Sequence, residues 1–416
     1  MARTLDVYLH QYLSGHLIQD KHGQMRFQYA ESWLADPNAV VLSYSLPLRK
    51  ERFGPRECRG FFGGILPEAS NREVIARNLG ISPRNDFAML EQIGGECAGS
   101  VMFLPSGVAL PERDDRYRSL SGRDLAKILR TLPRRPLLAG EDGVRLSLAG
   151  AQDKLAVHVA DGRISIPLGG APSTHILKPA IERFPETVFN EAFCMKLAGA
   201  IGLIVASVEI GRIEDIDYLL VERYDRRRIP ATSGDAVLER LHQEDFCQAL
   251  SVVSENKYEN EGGPSLKKCF ALLREISDTP VIDLQRLLDA VIFNFLIGNN
   301  DAHGKNFSIL YPDRSARRLA PFYDVLSTRI YPDLSGKMAM KIGGEYGPDQ
   351  IRLRHFERLA EDADLAKPLV KRRLLALAET ILAKIPEVAT GNPKMREVAD
   401  FIRGQCERKK SQINTN

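Results

Sequence analysis

Cysteines that could pair are missing from this chain. Its six, Cys58, Cys97, Cys194, Cys247, Cys269 and Cys406, are scattered without a CxxC spacing, so reduced thiols are expected rather than a disulfide framework or a thiolate zinc site. Charge of one sign is missing as well. A formal net charge of +3 over 416 residues creates no global basic field, which argues against direct reading of DNA. No apolar run approaches the roughly 18 residues of a membrane span, and the start Met1-Ala2-Arg3-Thr4-Leu5-Asp6-Val7 has no apolar signal core. Together these absences predict a cytoplasmic protein with no membrane role. The rest of the composition is ordinary, 44% hydrophobic and 27% charged, and the length suits two or three domains with a sizeable interior.

Three segments are expected. Residues 1–110 alternate short strand-like runs such as Leu5-Asp6-Val7-Tyr8-Leu9 with turn signals such as Lys21-His22-Gly23-Gln24 and polar helical stretches, as in a small mixed subdomain. A charged segment at 112–118, a helix-like run at 125–132 and Leu132-Pro133-Arg134-Arg135-Pro136 suit a linker. Residues 111–225 are strand-rich, with strands expected at 155–159, 163–167, 174–178, 205–213 and 218–223 and one helix at 188–200 carrying Phe189, Phe193 and Leu197 on one face. Residues 226–416 are dominated by helices. The clearest begins at Asp283 as N-cap, sets Leu284, Leu287, Leu288, Val291, Ile292, Phe295 and Leu296 along one stripe, and closes at Gly298. The last residues, 408–416, read as a frayed polar end.

The chemistry concentrates in Gly298-Asn299-Asn300-Asp301-Ala302-His303-Gly304-Lys305-Asn306-Phe307, between that helix and a strand at 307–311. A carboxylate and an amide five positions apart are the parts of a phosphoryl-transfer loop: Asp301 takes the proton of an attacking hydroxyl and Asn306 holds a magnesium ion on the nucleotide phosphates. The turn Pro312-Asp313-Arg314-Ser315 is expected to lead into a second short strand that delivers Asp324, a further metal ligand. Lys305 could neutralise the transferring group or be a surface lysine. His303 could contact phosphate or pack to shape the turn.

A kinase also needs a cation on the phosphates and a donor-rich loop over them. Lys178, ending an apolar strand, is the candidate cation, and Glu191 on the following helix its candidate partner. Taken alone, the two also read as a strand-edge lysine and a solvated acid. Ser147-Leu148-Ala149-Gly150-Ala151-Gln152-Asp153-Lys154 is the candidate loop, since small residues let backbone N–H groups approach an anion. It has neither the GxxxxGK[ST] of a Walker loop nor a full GxGxxG, so by itself it also reads as a plain turn. A second glycine cluster, Gly94-Gly95-Glu96-Cys97-Ala98-Gly99-Ser100, carries an acid at its centre and reads as a structural turn. The stretch Val221-Glu222-Arg223-Tyr224-Asp225-Arg226-Arg227 is where an adenine would lie, with the backbone of Glu222 to Tyr224 on the base edge and Tyr224 near the ring; a charged interdomain turn fits the same residues.

These motifs, with Thr174-His175-Ile176-Leu177-Lys178, Gln243-Glu244-Asp245-Phe246-Cys247-Gln248 and Pro321-Phe322-Tyr323-Asp324, resemble in order the HipA family, bacterial serine/threonine kinase toxins of type II toxin-antitoxin modules. The resemblance implies an α+β, bilobal protein-kinase-like fold, with a β-rich N-terminal lobe, an extra small subdomain and a helical C-terminal lobe. It implies ATP and Mg as cofactors, Asp301 as catalytic aspartate, Asn306 and Asp324 as magnesium ligands, and Lys178 as the phosphate lysine. Ser147 falls on the family's autophosphorylated serine, whose modification expels the phosphate loop; close to two added negative charges beside an anion-binding loop would do so electrostatically. The implied partners are a HipB-like dimeric helix-turn-helix antitoxin, DNA only through that antitoxin, and a protein substrate such as an aminoacyl-tRNA synthetase, glutamyl-tRNA synthetase first. Asp153 stands where glutamate is common in the family and Leu148 where valine is. A non-catalytic co-repressor scaffold and a small-molecule phosphotransferase remain the alternative classes.

Overall fold

In the computed structural model of the chain, residues 2–110, 116–184, 186–230 and 236–414 are described. Residues 112–115 of the expected charged segment lie outside them, as does residue 111, where the second segment was expected to begin. The chain forms two compact units, one of Met1–Pro179, Gly211–Glu255 and Leu310–Ala316, the other of Ala180–Ile210, Asn256–Ile309 and Arg317–Asn416.

Two sheets dominate the first unit, beside a two-stranded ribbon of Arg226–Pro230 and Ala236–Arg240. Strands Arg3–Leu9, Tyr12–Gln19, Met25–Tyr29 and Val101–Pro105 make an antiparallel four-stranded sheet in the order third, second, first, fourth. Alternation along Arg3–Leu9 buries Leu5, Val7 and Leu9 completely, the period-two signature of a one-faced sheet. An aromatic core anchors the helix Pro55–Gly64: Phe62 lies 5.2 Å from Phe61, 5.3 Å from Phe27 and 5.9 Å from Phe103 between ring centroids. The second sheet has six strands in the order Tyr117–Ser119, Arg163–Pro167, Leu155–Ala160, His175–Pro179, Ile216–Glu222, Val208–Ile213. The expected strands are therefore present, with ends moved by at most three residues and 163–167 unmoved. Lys178 stands opposite Leu219 and is buried.

A buried ion cluster joins the small subdomain to this sheet. Glu96, from the glycine cluster, accepts from the backbone N–H and hydroxyl of Ser173 at 2.9 and 2.8 Å and from Arg226 at 2.7 Å, and pairs with Arg223 at 3.3 Å and Arg240 at 2.5 Å. Arg223 also grips Asp225 through two N–H groups at 2.9 and 2.7 Å, while the Gly99 N–H donates to the same carboxylate at 2.7 Å. Burial pushes the Glu96 carboxyl up, but Arg226, Arg240 and Arg223 outweigh it and hold the group down to about 2. Asp225 is likewise held below the usual carboxylate range by Arg223 and Arg226 against its burial. The glycine cluster is thus a structural turn, and its acid serves arginines. The stretch 223–226 is a structural knot as well, which the interdomain-turn reading did not anticipate.

The second unit is mostly helical: Thr187–Ala200, Leu266–Ile276, Pro280–Ile297, Leu353–Asp362, Lys367–Val388 and Pro393–Asn414. Two expectations need correction. The stripe helix starts four residues early, with Thr279 at the cap and Pro280 in the first turn, where its missing N–H costs nothing. Asp283 is then a fully buried residue inside the first turn; its carboxylate accepts from Ser277 Oγ at 2.7 Å, Leu319 N at 2.9 Å and Arg286 at 2.9 Å. The polar end is not frayed over its described residues; 415 and 416 lie outside them. Residues 408–414 continue a helix, with Lys409 buried against Asp349 at 2.9 Å and Ile413 in the core. Among the described residues no helix is long and apolar enough to cross a membrane.

Glu96→Gln leaves three guanidinium groups facing a neutral amide, and removing one partner of a buried ion pair costs about 3–5 kcal/mol. Because the folded-state value lies below the ordinary 4.5, the wild-type contribution is complete above pH 4.5 and fades as pH falls toward about 2. Denaturant titrations are expected to give the variant a large deficit at pH 7 that narrows at pH 3.

Candidate functional site

In the second unit the site is built at the end of Pro280–Ile297. Gly298 takes the left-handed conformation, φ 76°, and its N–H returns to Asn294 O, a cap that glycine makes without steric cost. Asn299 repeats the anchor twice, backbone N to Asn294 O and side-chain Nδ2 to Asn294 Oδ1, both 2.8 Å. Its own Oδ1 accepts the Asp301 N–H at 3.1 Å, a side-chain turn that orients the next peptide. Asn300 N donates to Thr328 Oγ1 at 2.8 Å, and Asn300 O accepts from Ala339 N at 2.7 Å. Asp301 emerges from this scaffold exposed to solvent, and Tyr258 donates its phenolic hydrogen to Asp301 Oδ1 at 2.7 Å.

The chain then forms a 3-10 turn, Gly304–Asn306, in which Asn306 Oδ1 accepts from His303 N at 3.2 Å. His303 is buried, its ring edge-on to Tyr258 at 5.3 Å. Lys305 is buried too, which removes the surface-lysine reading, and its carbonyl accepts from Tyr323 OH at 2.7 Å. The strand after the turn is Ser308–Tyr311, one residue later than expected.

Asp324 needs a correction. The second strand is only Arg318–Leu319, so no hairpin delivers the carboxylate. Instead residues 320–327 run irregularly, pinned by Ala206 N to Phe322 O and Phe322 N to Ile204 O, both 2.9 Å, and by Ser327, which exchanges hydrogen bonds with the Asn190 amide at 2.9 Å each way. Between these anchors Asp324 is held at φ 56°, a left-handed conformation a non-glycine residue keeps only when its surroundings over-determine it. Asn306 and Asp324 line one recess with Asn299, Ala302, Phe293 and Phe322. Among the described residues no three or more His, Cys, Asp and Glu converge as a complete metal site. The Asn306 amide oxygen and the Asp324 carboxylate are two hard oxygen donors, the partial set that suits a magnesium ion completed by water and phosphate. Glu191 is buried on Thr187–Ala200.

In the first unit, the turn at 147–154 hangs from the small subdomain. Ser147 is fully buried, its N–H donating to Glu96 O at 2.9 Å and its hydroxyl to Ile65 O at 3.0 Å. Three successive carbonyls are then taken: Ala149 O by Lys154 Nζ at 2.8 Å, Gly150 O by Glu68 N at 3.2 Å and Ala151 O by Asn71 Nδ2 at 3.0 Å. Since C=O and N–H of one peptide plane are antiparallel, the N–H groups of Ala151 and Gln152 point away from Glu68 and Asn71, whereas Gly150 forms a parallel bridge with Pro67. Leu148 is buried, Gln152 reaches Pro179 O at 3.4 Å, and burial pushes the Asp153 carboxyl up. Glu222 is exposed opposite His175, and Tyr224 donates to Gln243 Oε1. In the following motif, Glu244 is buried against three donors, Ser43 Oγ, Tyr44 N and Tyr311 OH, and burial pushes its carboxyl up to about 7.

Several contributors carried no sequence signal: Ile65, Glu68 and Asn71 behind the turn, Thr328 and Ala339 under Asp301, and Tyr258 upon it. Each meets its partner through a long loop, beyond the reach of periodicity or spacing.

The HipA N-terminal domain family matches residues 5–104, and the HipA-like C-terminal domain family matches residues 146–389. The chain belongs to the HipA family. It is 47% identical to Y4mE of Sinorhizobium fredii, whose name assigns it to the kinases, covering 97% of this chain and 98% of that one. It is 30% identical to the serine/threonine-protein kinase toxin HipA of Shewanella oneidensis, covering 96% and 92%. A solved structure of the Shewanella oneidensis HipA, HipB and operator DNA complex contains a chain that matches at TM-score 0.84 and 29% identity over 97% of both chains. The α+β kinase-like HipA fold, 40% helix and 22% strand, is thereby established.

Gly150 has φ 104°, and a Cβ there would lie 2.7 Å from Lys154 Nζ. Gly150→Ala is expected to lower stability by about 1–3 kcal/mol in thermal unfolding, from backbone strain and loss of the ammonium-carbonyl bond. Adding Lys154→Ala relieves the steric clash without restoring the bond, so the double variant is expected to cost less than the two single changes summed.

Proposed function

We propose that the protein is an ATP- and magnesium-dependent serine/threonine protein kinase, the toxin of a type II toxin-antitoxin pair. The observation that carries this reading is the second-unit arrangement: Asn306 and Asp324 lining one recess, with the solvent-facing carboxylate of Asp301 on the same turn as Asn306. Asp301 accepts a hydrogen bond from the substrate hydroxyl and takes its proton as the phosphoryl group transfers. Asn306 and Asp324 hold magnesium, which when bound neutralises charge on the nucleotide phosphates. His303 and Lys305, buried behind the turn, hold its shape. On the first unit, Lys178 supplies a cation to the phosphates, with Glu191 of the second unit as its proposed partner. The N–H groups of Ala151 and Gln152 give the loop its donors, and Leu148, Ala149, Gly150 and Lys154 brace it. Glu222 and Tyr224 are the proposed adenine-side residues.

Self-modification at Ser147 is the proposed off-switch. Its hydroxyl is buried and already donates to Ile65 O, so the turn must leave the small subdomain before transfer can occur; a phosphate there could not fit back. The kinases and the toxin among the relatives, and the HipB of the related complex, support a helix-turn-helix antitoxin as partner, with DNA reached through it. An aminoacyl-tRNA synthetase, glutamyl-tRNA synthetase first, is the proposed substrate.

Asp301→Asn is expected to cut phosphate transfer about 100-fold or more while nucleotide affinity stays within a few-fold, since general-base loss costs 10²–10⁴. Wild-type transfer by the variant would refute the assignment. Incubation with ATP followed by intact mass and peptide mapping is expected to find one phosphate, at Ser147. Asn71→Ala, which frees Ala151 O, is expected to raise the initial rate of that modification several-fold, about what losing one hydrogen bond of roughly 1 kcal/mol allows.

A further inference from the structure

Tyr258 lies forty-three positions before Asp301 and donates to its Oδ1 at 2.7 Å. Neither an exposed carboxylate nor a half-exposed tyrosine is fixed by its own packing, so the question is what makes this bond persist. The backbone answers it. The Tyr258 carbonyl accepts from Glu261 N at 3.0 Å and Gly263 N at 2.8 Å, closing a tight turn on itself. A Cβ at Gly263 would lie 2.6 Å from that carbonyl, so only glycine lets the turn close. One residue on, Glu259 N donates to Ala339 O at 3.0 Å, and Ala339 N donates to Asn300 O at 2.7 Å. The Glu259 carboxylate adds a bond from Lys341 N at 2.7 Å. A two-rung backbone ladder thus ties the neighbour of Tyr258 to the neighbour of Asp301 through residue 339. The buried His303 packs edge-on against the ring, at 81° to it. All of these residues belong to the second unit.

Two roles are open to a phenol on a catalytic base: an occupant that blocks the substrate hydroxyl, or a brace that fixes the carboxylate. An occupant must leave during turnover, and the ladder, the glycine-closed turn and the histidine contact all resist leaving. A brace needs only to stay. It takes one oxygen of the carboxylate, Oδ1, which orients the base and excludes its unproductive rotations. We infer that Tyr258 is a positioning residue of the phosphoryl-transfer step, acting through Asp301 by holding one carboxylate oxygen. The inference rests on the reading of Asp301 as the base.

The test is a double-mutant cycle on the full-length protein, with Tyr258→Phe, Asp301→Asn and the pair, read as single-turnover transfer from ATP to Ser147 or a generic protein acceptor. Tyr258→Phe alone is expected to lower the rate constant about 10-fold, the scale of losing a supporting hydrogen bond to a catalytic group, with the KM for ATP and the melting temperature unchanged. In the Asp301→Asn background the same change is expected to cost nothing further, because groups acting as a unit are non-additive. An unchanged rate in Tyr258→Phe, or an equal loss in both backgrounds, overturns the inference and leaves the base assignment standing. A faster Tyr258→Phe would make the tyrosine an occupant and overturn it too. Full activity in Asp301→Asn would instead remove the base assignment, and this inference with it.

Discussion

The first unit depends on the burial of Glu96 among arginines. Taking a carboxylate out of water is expensive, and the cost is recovered only if opposite charges and hydrogen bonds surround it on all sides. Here Arg223, Arg226, Arg240 and Ser173 do so, with Asp225 balancing the second charge on Arg223 and Arg226. The consequence reaches the proposed chemistry. The peptide of Glu96 receives the Ser147 N–H, and the residue before Ser147 forms a parallel bridge with Glu96. The start of the proposed phosphate turn is therefore positioned by the backbone of the residue whose side chain holds the subdomain to the sheet.

The second unit solves a different problem, that of presenting polar groups in irregular backbone without letting them wander. Its solution is layered amides. Asn294 and Asn190 sit on helices and offer fixed side-chain oxygens; Asn299 Nδ2 and Ser327 N donate to them, and the segments bearing Asp301 and Asp324 are suspended from these. The left-handed Asp324 is the strained point of this scheme, held between an anchor at 322 and one at 327. Strain of this kind persists where the surrounding bonds leave no alternative, and it aims a carboxylate where relaxed backbone would not.

What was legible in the sequence follows from range. The stripe helix announced itself through Leu284, Leu288, Val291 and Phe295, and its end through Gly298, because both signals lie within a few residues. The strands of the six-stranded sheet were legible for the same reason. Asp283 was misread because an acid before an apolar stripe is what a cap looks like, while the true signal, Thr279-Pro280, lay one turn earlier. The Glu96 cluster was invisible: its partners lie 77 and 130 positions away, and an acid among glycines gives no local hint of three arginines. Asp324 was assigned a role by its motif, but its setting depends on bonds to Ile204 and Asn190, which no spacing encodes. Candidate site residues could thus be proposed from the sequence, whereas the bonds that hold them could not.

Ser147 has no surface at all, and its hydroxyl is committed to a carbonyl of another segment. If Ser147 is the proposed site of self-modification, an enzyme could meet its hydroxyl only were the turn to detach. The modified fraction in a population would then count how often that detachment has happened since synthesis. Such a residue behaves less like a sensor of conditions than like a clock, with its tick set by the Glu68 and Asn71 bonds.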